Sequence, residues 1–228
     1  PQSAHSEAQT SVTFLDSCRE FLVAMIILLH PRSTKPKNRR FPLAVLSLAA
    51  VLEGKEEFTI VDGNADSDPG KTLDRVVADS GCSMLAVSVM PGPQMKAAIP
   101  LCRDFRAKHP RVPIVWGGYF PSLYTDAALN APYVDIVVRG QGERTFLELV
   151  TALKEGRKLA GIQGISFKDE FGLHVHNADR NLESPNDLPW LPYHQLPNVD
   201  DYIRPTFLGR RTAVHQASIG CPYRCTFC

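Results

Sequence analysis

The sequence predicts an α/β protein built on a five-stranded parallel sheet with helices on both faces. Five apolar runs that lack polar alternation occur along the first two thirds of the chain, and helical patterns separate them. Strands buried on both faces have this composition, and strands that alternate with helices form parallel sheets with right-handed crossovers. Ligands of such sheets bind beyond the carboxyl ends of the strands. We therefore expect a ligand site in the loops that follow the strands.

Each strand is predicted from a short run that is rich in valine, isoleucine or leucine. The runs lie at residues 22–29, 58–61, 84–90, 112–116 and 134–138. Helices are predicted at residues 43–53, 71–80, 94–109, 121–130 and 142–155. Glycine directly follows the first and the last of these helices, as it commonly does at helix ends. Together these elements define a predicted domain over residues 22–160.

The chain changes character after this domain. Residues 164–176 predict a β-hairpin that turns near Asp169 to Gly172. Residues 183–205 contain five prolines and predict an extended segment, so we assign residues 161–205 to a hairpin and a proline-rich linker. A strand is then predicted at residues 212–219, and residues 206–228 are assigned to the start of a second domain.

Composition excludes several classes of function. The 25 basic and 24 acidic side chains leave a formal net charge of +1, so we expect neither a nucleic-acid nor a membrane partner. The apolar run at residues 21–29 is too short to span a bilayer. Cys18, Cys82 and Cys102 are scattered singly, which is typical of free thiols in a reducing cytoplasm. Residues 1–21 are polar and unpatterned, and we expect a disordered or non-native extension there.

The last eight residues place three cysteines close together. Cys221, Cys225 and Cys228 have the spacing C-x-x-x-C-x-x-C. Three thiolates are an incomplete set for structural zinc, which takes four ligands. They suit a cubane iron–sulfur cluster with one iron left free. A zinc site with a fourth ligand from elsewhere and a disulfide framework are the alternatives.

This segment resembles the cluster motif of the radical S-adenosylmethionine superfamily. The resemblance implies a 4Fe–4S cluster held by the three cysteines, with S-adenosylmethionine bound to the fourth iron. Phe227 matches the aromatic residue that precedes the last cysteine and packs near the adenine. An electron donor such as flavodoxin or ferredoxin is implied as a partner. Residues 206–228 would then begin a truncated radical S-adenosylmethionine barrel.

The five-strand domain resembles cobalamin-binding domains of flavodoxin-like (Rossmann-like) topology. Ser88 and Met90 match a Ser-x-Leu element at the end of the third strand, and Gly117-Gly118 follows the fourth strand after 26 intervening residues. A serine at a strand end offers a hydroxyl to a buried ring nitrogen. Paired glycines let a large flat ligand approach the backbone. The resemblance therefore implies that Ser88, Met90, Gly117 and Gly118 contact cobalamin.

Other parts of this resemblance are incomplete. Domains that ligate cobalt with histidine carry Asp-x-His-x-x-Gly after the first strand, whereas His30 here lacks both the Asp and the Gly. We therefore expect His30 to be structural. The Arg139-Gly140-Gln141-Gly142-Glu143 turn resembles an Arg-Gly-Glu-Gly-Glu turn of cobalamin-dependent radical enzymes, with Gln141 departing. This resemblance implies that Arg139, Gly140, Gly142 and Glu143 contact the cofactor. The alternative is an ordinary glycine turn that enters a helix with Glu143 in its first turn.

The basic loop at residues 32–40 has two interpretations as well. It carries Arg32, Lys35, Lys37, Arg39 and Arg40. Such a run is usually solvated, and the alternative is a clamp for a phosphate or an anionic substrate.

Together the two resemblances imply a cobalamin-dependent radical S-adenosylmethionine enzyme. Such an enzyme would methylate, or cyclise, an unactivated carbon of a small-molecule substrate through a 5′-deoxyadenosyl radical, and this fragment alone would be inactive. Two alternatives stay open at this point. One is a radical enzyme whose first domain no longer binds cobalamin, and the other is a cobalamin- or nucleotide-binding module without catalysis.

Overall fold

The structure, a computed structural model, describes residues 25–220, 223, 225 and 226. Seven strands form its central sheet: β1 (Met25–His30), β2 (Phe58–Asp62), β3 (Cys82–Ser88), β4 (Ile114–Gly117), β5 (Ile136–Val138), β6 (Ile165–Lys168) and β7 (His174–His176). Their order in the sheet is β2-β1-β3-β4-β5-β6-β7. The first five strands are parallel, which confirms the predicted flavodoxin-like topology. The last two continue the sheet in antiparallel orientation.

Helices cover both faces of this sheet. They are α1 (Leu43–Leu52), α2 (Pro69–Ser80), α3 (Pro93–Lys108), α4 (Tyr119–Leu123), α5 (Thr125–Leu129) and α6 (Glu143–Lys154). Helices α1 and α6 pack against each other, and α2 packs against α3. None of the helices in the described part of the chain combines the length and the apolar character needed to cross a membrane.

Strand β1 shows why the apolar runs are continuous. Ile26 and Leu28 pack into the apolar cluster that contains residues of α1 and α6. Ile27 and Leu29 pack into the cluster on the other face, with residues of α2 and α3. Successive side chains of a strand point to opposite faces, so a sheet covered on both sides requires apolar residues at every position.

The predicted helix at residues 121–130 is two short helices, α4 and α5. Tyr124 lies between them with φ −125° and ψ 55°, outside the helical region. Its backbone N–H still bonds to Phe120 O, and its carbonyl accepts the N–H of Ala128. The bend turns the chain along the edge of the sheet toward β5.

The hairpin prediction for residues 164–176 is confirmed by β6 and β7. The Asp169 carboxylate accepts hydrogen bonds from the N–H groups of Phe171 and Leu173, which closes the turn. Strand β6 also pairs with β5, so the sheet continues past residue 160. The reason is that β5 has apolar residues on both faces and would otherwise be an unpaired edge.

The proline-rich segment packs on the sheet edge near β2. It forms three short 3₁₀ turns, at Pro185–Asp187, Tyr193–Gln195 and Val199–Tyr202. Leu196 and Tyr202 are buried with Phe41 and Leu46 in a third apolar cluster. The Phe41 and Tyr202 rings stack with centroids 5.1 Å apart.

The structure differs from the strand predicted at residues 212–219. A separate pair, β8 (Arg204–Thr206) and β9 (Gly209–Thr212), forms instead, and only Thr212 of the predicted stretch belongs to a strand. A strand requires a hydrogen-bonded neighbour, and among the described residues none pairs with 213–219. The predictions for residues 1–21, Cys221, Phe227 and Cys228 lie outside the described residues.

Candidate cofactor site

The parallel strands bring His30 and two of the predicted cofactor-contact residues, Ser88 and Gly117, to one edge of the sheet. His30, Ser88, Gly117 and Val138 are the last residues of β1, β3, β4 and β5. The chain leaves β1 toward β2 on one side and returns to β3 on the other side of β1. Such a reversal opens a crevice at the carboxyl ends of the strands, where α/β proteins bind their ligands.

A cavity of about 230 Å³ lies at this edge, on the face covered by α1 and α6. Its sheet wall includes Ala86, Val115 and Val138, and its helix wall includes Leu48 and Phe146. Six of the predicted cofactor-contact residues also line it: Ser88, Gly117, Gly118, Gly140, Gly142 and Glu143. Residues far apart in the sequence are therefore brought together around one apolar space.

The two glycines after β4 have different structural roles. Gly118 has φ +96°, and a Cβ there would lie 3.2 Å from Val89 O and 3.3 Å from Val89 N. Both the backbone conformation and the crowding require glycine. Gly117 has no positive φ, and a Cβ there would make ordinary contact, 3.6 Å from Val138 O. The absent side chain of Gly117 keeps the cavity open, whereas Gly118 is required by the turn itself.

Ser122 connects the two glycine turns, and no motif in the sequence indicated it. Its hydroxyl donates to Gly118 O at 2.7 Å and accepts the N–H of Gly140 at 2.9 Å. This side chain therefore links the turn after β4 to the turn after β5 at the cavity mouth. The only local signal was a serine one helical turn after a glycine.

Glu143 and Gln141 contribute polar atoms without a partner. Glu143 is buried at the start of α6, and its Oε2 has no hydrogen-bond partner among the described residues. The same holds for Gln141 Nε2, while Gln141 Oε1 accepts the N–H of Glu183 at 2.7 Å. A buried polar atom left unpaired costs about 1–3 kcal/mol, so these atoms indicate a polar ligand.

Met90 and Arg139 do not line the cavity. The Met90 side chain is 55% exposed beyond β3. The Arg139 guanidinium donates to the carbonyls of Asn177 and Ile165 and forms an ion pair with Asp179. The structure therefore places Arg139 as a link between β5 and the chain that follows the hairpin.

His30 lies beside the N-terminal end of α3, outside the cavity lining. Its Nδ1 is 3.2 Å from Gln94 Nε2, and Gln94 Oε1 accepts the N–H of Met90 at 2.9 Å. Burial lowers the pKa of His30, and the opposing influence of the Asp62 charge is smaller. The ring is thus a neutral hydrogen-bonding group that joins β1 to the loop after β3, and Gln94 is a partner that the sequence did not indicate.

Two arginines of the basic loop at residues 32–40 bond to other parts of the structure. The Arg32 guanidinium donates to Gly63 O at 2.9 Å and to Asp66 O at 2.8 Å. Arg39 forms an ion pair with Asp201 at 3.1 Å. These bonds attach the loop after β1 to its neighbours, so Arg32 and Arg39 are neither simply solvated nor free to clamp an anion.

The linker is attached to the same edge of the sheet by a buried hydrogen bond. Tyr202 donates from its hydroxyl to Asp62 Oδ2 at 2.8 Å, at the end of β2. Burial, with the nearby Asp62 charge, raises the pKa of Tyr202. The segment that leads to the cysteines is therefore held at the carboxyl edge.

Comparison with known families decides what kind of domain this is. Residues 31–150 match the model of the B12 binding domain family. The chain belongs to this family. The matched stretch begins directly after β1 and contains the glycine pair after β4 and the first two thirds of α6, and therefore all six predicted cofactor residues that line the cavity.

Two curated relatives of this B12-binding chain are enzymes by name. It is 28% identical over 188 residues to "Uncharacterized methyltransferase PH0819" of Pyrococcus horikoshii, which covers 82% of this chain and 40% of that protein. It is 27% identical over 208 residues to the anaerobic magnesium-protoporphyrin IX monomethyl ester cyclase of Synechocystis sp., which covers 87% of this chain and 40% of that one. The B12-binding chain thus spans 40% of the length of each relative.

A solved structure shows the same fold. The cobalamin-dependent S-adenosylmethionine radical enzyme OxsB, with aqua-cobalamin bound, aligns with a TM-score of 0.64 at 21% identity. The alignment covers 78% of this chain and 26% of that enzyme.

The cavity of this B12-binding domain fits part of a cobalamin molecule. Its volume is below the roughly 300–1,000 Å³ of complete small-molecule sites, so it would take one end of a large cofactor. Its apolar walls suit an aromatic group, and the Ser88 hydroxyl and Glu143 carboxylate supply hydrogen-bonding atoms.

Of the predicted cluster ligands, only Cys225 belongs to the described residues, where it is exposed. Gln216 and Ile219, which precede the cysteines, line the cavity. The segment that carries the cysteine motif therefore starts beside the predicted cobalamin site.

Proposed function

We propose that this chain is the cobalamin-binding part of a cobalamin-dependent radical S-adenosylmethionine enzyme, and that the cavity holds the nucleotide tail of cobalamin. The observation that carries the proposal is the cavity at the carboxyl ends of β3, β4 and β5. Gly117 leaves one wall open there, Ser88 supplies a hydroxyl, and Glu143 supplies an unpartnered carboxylate oxygen.

The chain's own residues would bind and orient the cofactor. The Ser88 hydroxyl donates to a ring nitrogen of the tail, and the missing side chain of Gly117 leaves room for its flat face. Glu143 Oε2 accepts a hydrogen bond from a carboxamide N–H of the cofactor, which satisfies its buried lone pairs. The apolar walls exclude water from the tail. If the reaction is methyl transfer, bound cobalamin in its methylated form would supply the methyl group.

Cys221, Cys225 and Cys228 would hold the 4Fe–4S cluster, with S-adenosylmethionine on its free iron and Phe227 near the adenine. Three thiolates in eight residues support this assignment, since the fourth iron then keeps an open position. The partners we propose are a small-molecule substrate and a protein electron donor. The names of the relatives include both a methyltransferase and a cyclase, so methyl transfer and ring formation are the two reactions to test.

A domain that has lost cobalamin is the second candidate. This candidate predicts a filled or collapsed space at the ends of β3, β4 and β5, because an apolar cavity without a ligand lowers the stability of the fold. The open cavity and the unpartnered Glu143 oxygen favour retention of the cofactor.

The test is anaerobic reconstitution of the full-length protein with iron and sulfide, with and without hydroxocobalamin. We expect a cluster absorption, a bound-cobalamin spectrum and reductive formation of 5′-deoxyadenosine from S-adenosylmethionine. Cys225→Ala should lose the cluster and 5′-deoxyadenosine formation while it retains cobalamin, since the two sites use different residues. Cobalamin bound without any cluster in wild type would indicate a non-catalytic module, and a cluster without cobalamin would indicate the second candidate.

A further inference from the structure

A group of two histidines and one carboxylate lies at the sheet edge formed by β7. Asp126 belongs to α5, and His174 and His176 belong to β7. His174 Nδ1 lies 2.8 Å and His176 Nε2 lies 3.2 Å from Asp126 Oδ1. One ligand atom from each of the three residues lies within 4.8 Å of the others. The three side chains therefore converge on one point, although 47 residues separate Asp126 from His174 in the sequence.

Strand geometry produces this convergence. Residues two apart in a strand point to the same face, so both imidazoles of β7 face the helix side where α5 lies. Strand β7 is the last strand of the sheet, so its histidines stand at an open edge. The His174 side chain is 20% exposed and that of Asp126 is 68% exposed, so an ion can enter from solvent.

The second ring nitrogen of His176 contacts a residue of the neighbouring strand. Its Nδ1 is 3.0 Å from the Oγ of Ser166, a fully buried residue directly opposite it on β6. Histidines that bind metal almost always use their second ring nitrogen in such a bond, which fixes the ring and directs the other nitrogen at the ion.

The basic residue Lys168 lies directly opposite His174 in the hairpin, and its ammonium donates to Ala131 O at 2.8 Å. A carboxylate oxygen next to two imidazole nitrogens is a ligand set that suits zinc.

We propose that Asp126, His174 and His176 bind one zinc ion, with water in the remaining position. The ion joins the edge hairpin to α5, on the opposite face of the sheet from the cofactor cavity. Binding there stabilises the edge of the sheet, because a ligand that binds only the folded state raises its stability. The site is independent of the proposed cobalamin function.

The test titrates zinc into the full chain after the thiolates that would compete for it are removed, by Cys221→Ser, Cys225→Ser and Cys228→Ser. Calorimetry should show one saturable site. At a free zinc concentration about 100 times Kd, the midpoint of thermal unfolding should rise by roughly 5–10 °C. His174→Ala and His176→Ala should abolish both effects. Ser166→Ala should weaken zinc binding by about 10- to 100-fold, as expected for the outer partner of a ligating histidine.

The matched control is His194→Ala. His194 Nε2 contacts Glu53 Oε1 at 2.6 Å, so this variant removes an exposed histidine–carboxylate pair that has no second histidine. It should bind zinc as the parent does. If a His174→Ala protein does not fold, as judged by circular dichroism, His174→Gln replaces it. The absence of saturable binding in the parent, or equal binding by the folded His174 and His176 variants, would overturn the proposal and leave the cluster an ion pair.

Discussion

Gly117→Val separates the folding role of the glycine pair from its role in the cofactor site. Gly117 ends β4 opposite Ser88 and Val138, and its backbone does not require a positive φ. A Cβ there would lie 3.6 Å from Val138 O and 3.7 Å from Val138 Cβ, which are ordinary contacts. Valine also prefers strands over glycine by up to about 1 kcal/mol. We therefore expect a folded protein of unchanged or slightly higher stability.

The same substitution should weaken cobalamin binding. The valine side chain adds three carbon atoms at the wall of a cavity of about 230 Å³. Extra carbons in a filled site cost about 1–3 kcal/mol, which is roughly a 5- to 150-fold increase in Kd. The assay is a spectroscopic titration of the full-length protein with hydroxocobalamin, and thermal unfolding followed by circular dichroism reports stability.

Two comparisons make the result interpretable. Ser83→Val places the same side chain at the amino end of β3, away from the cavity, and should leave the Kd unchanged. Gly118→Leu is a poor test, because φ +96° and a Cβ 3.2 Å from Val89 O would cost about 1–3 kcal/mol of stability before any ligand is considered. A folded Gly117→Val protein with the wild-type Kd would refute the placement of the cofactor tail in this cavity.

Four further predictions concern Glu143, His30 and Tyr202. Glu143→Gln exchanges an acceptor oxygen for an N–H donor at constant size, so the Kd for cobalamin should rise by about 2- to 10-fold, and an unchanged Kd would remove Glu143 from the site. His30→Ala should keep cobalamin, and the cob(II)alamin resonance spectrum of wild type should show no imidazole nitrogen splitting. Burial lowers the pKa of His30 in the folded state, so its contribution to stability is present above about pH 6.5 and is lost as the pH falls below that value. In His30→Gln, the free energy of unfolding measured with urea should therefore depend less on pH in this range. Tyr202→Phe leaves Asp62 Oδ2 without its donor and should lower the free energy of unfolding by about 1–3 kcal/mol, with an unchanged urea m-value.

The sequence by itself determined the parallel sheet and most of the cavity. Burial on both faces requires uninterrupted apolar runs, which are a local property of the chain. Such runs predicted the strands at 58–61, 84–90, 112–116 and 134–138. Parallel strands end at a common edge, so Ser88, the glycine pair and the turn at 139–143 could be expected near one another. The hairpin at 164–176 could be predicted from another local pattern, an apolar stretch interrupted by turn residues.

Tertiary structure alone decided which distant groups meet. The pairing of β6 with β5 extends the sheet past residue 160, so a fragment that ends there would expose β5 as an edge. Arg139 points to the carbonyls of the chain after the hairpin and away from the cavity, because β6 brings Ile165 and Asn177 beside it. Period and spacing describe neighbours along the chain, whereas contacts between strands depend on the register of pairing, which no local pattern contains. The group of Asp126, His174 and His176 exists only because that register places β7 beside α5.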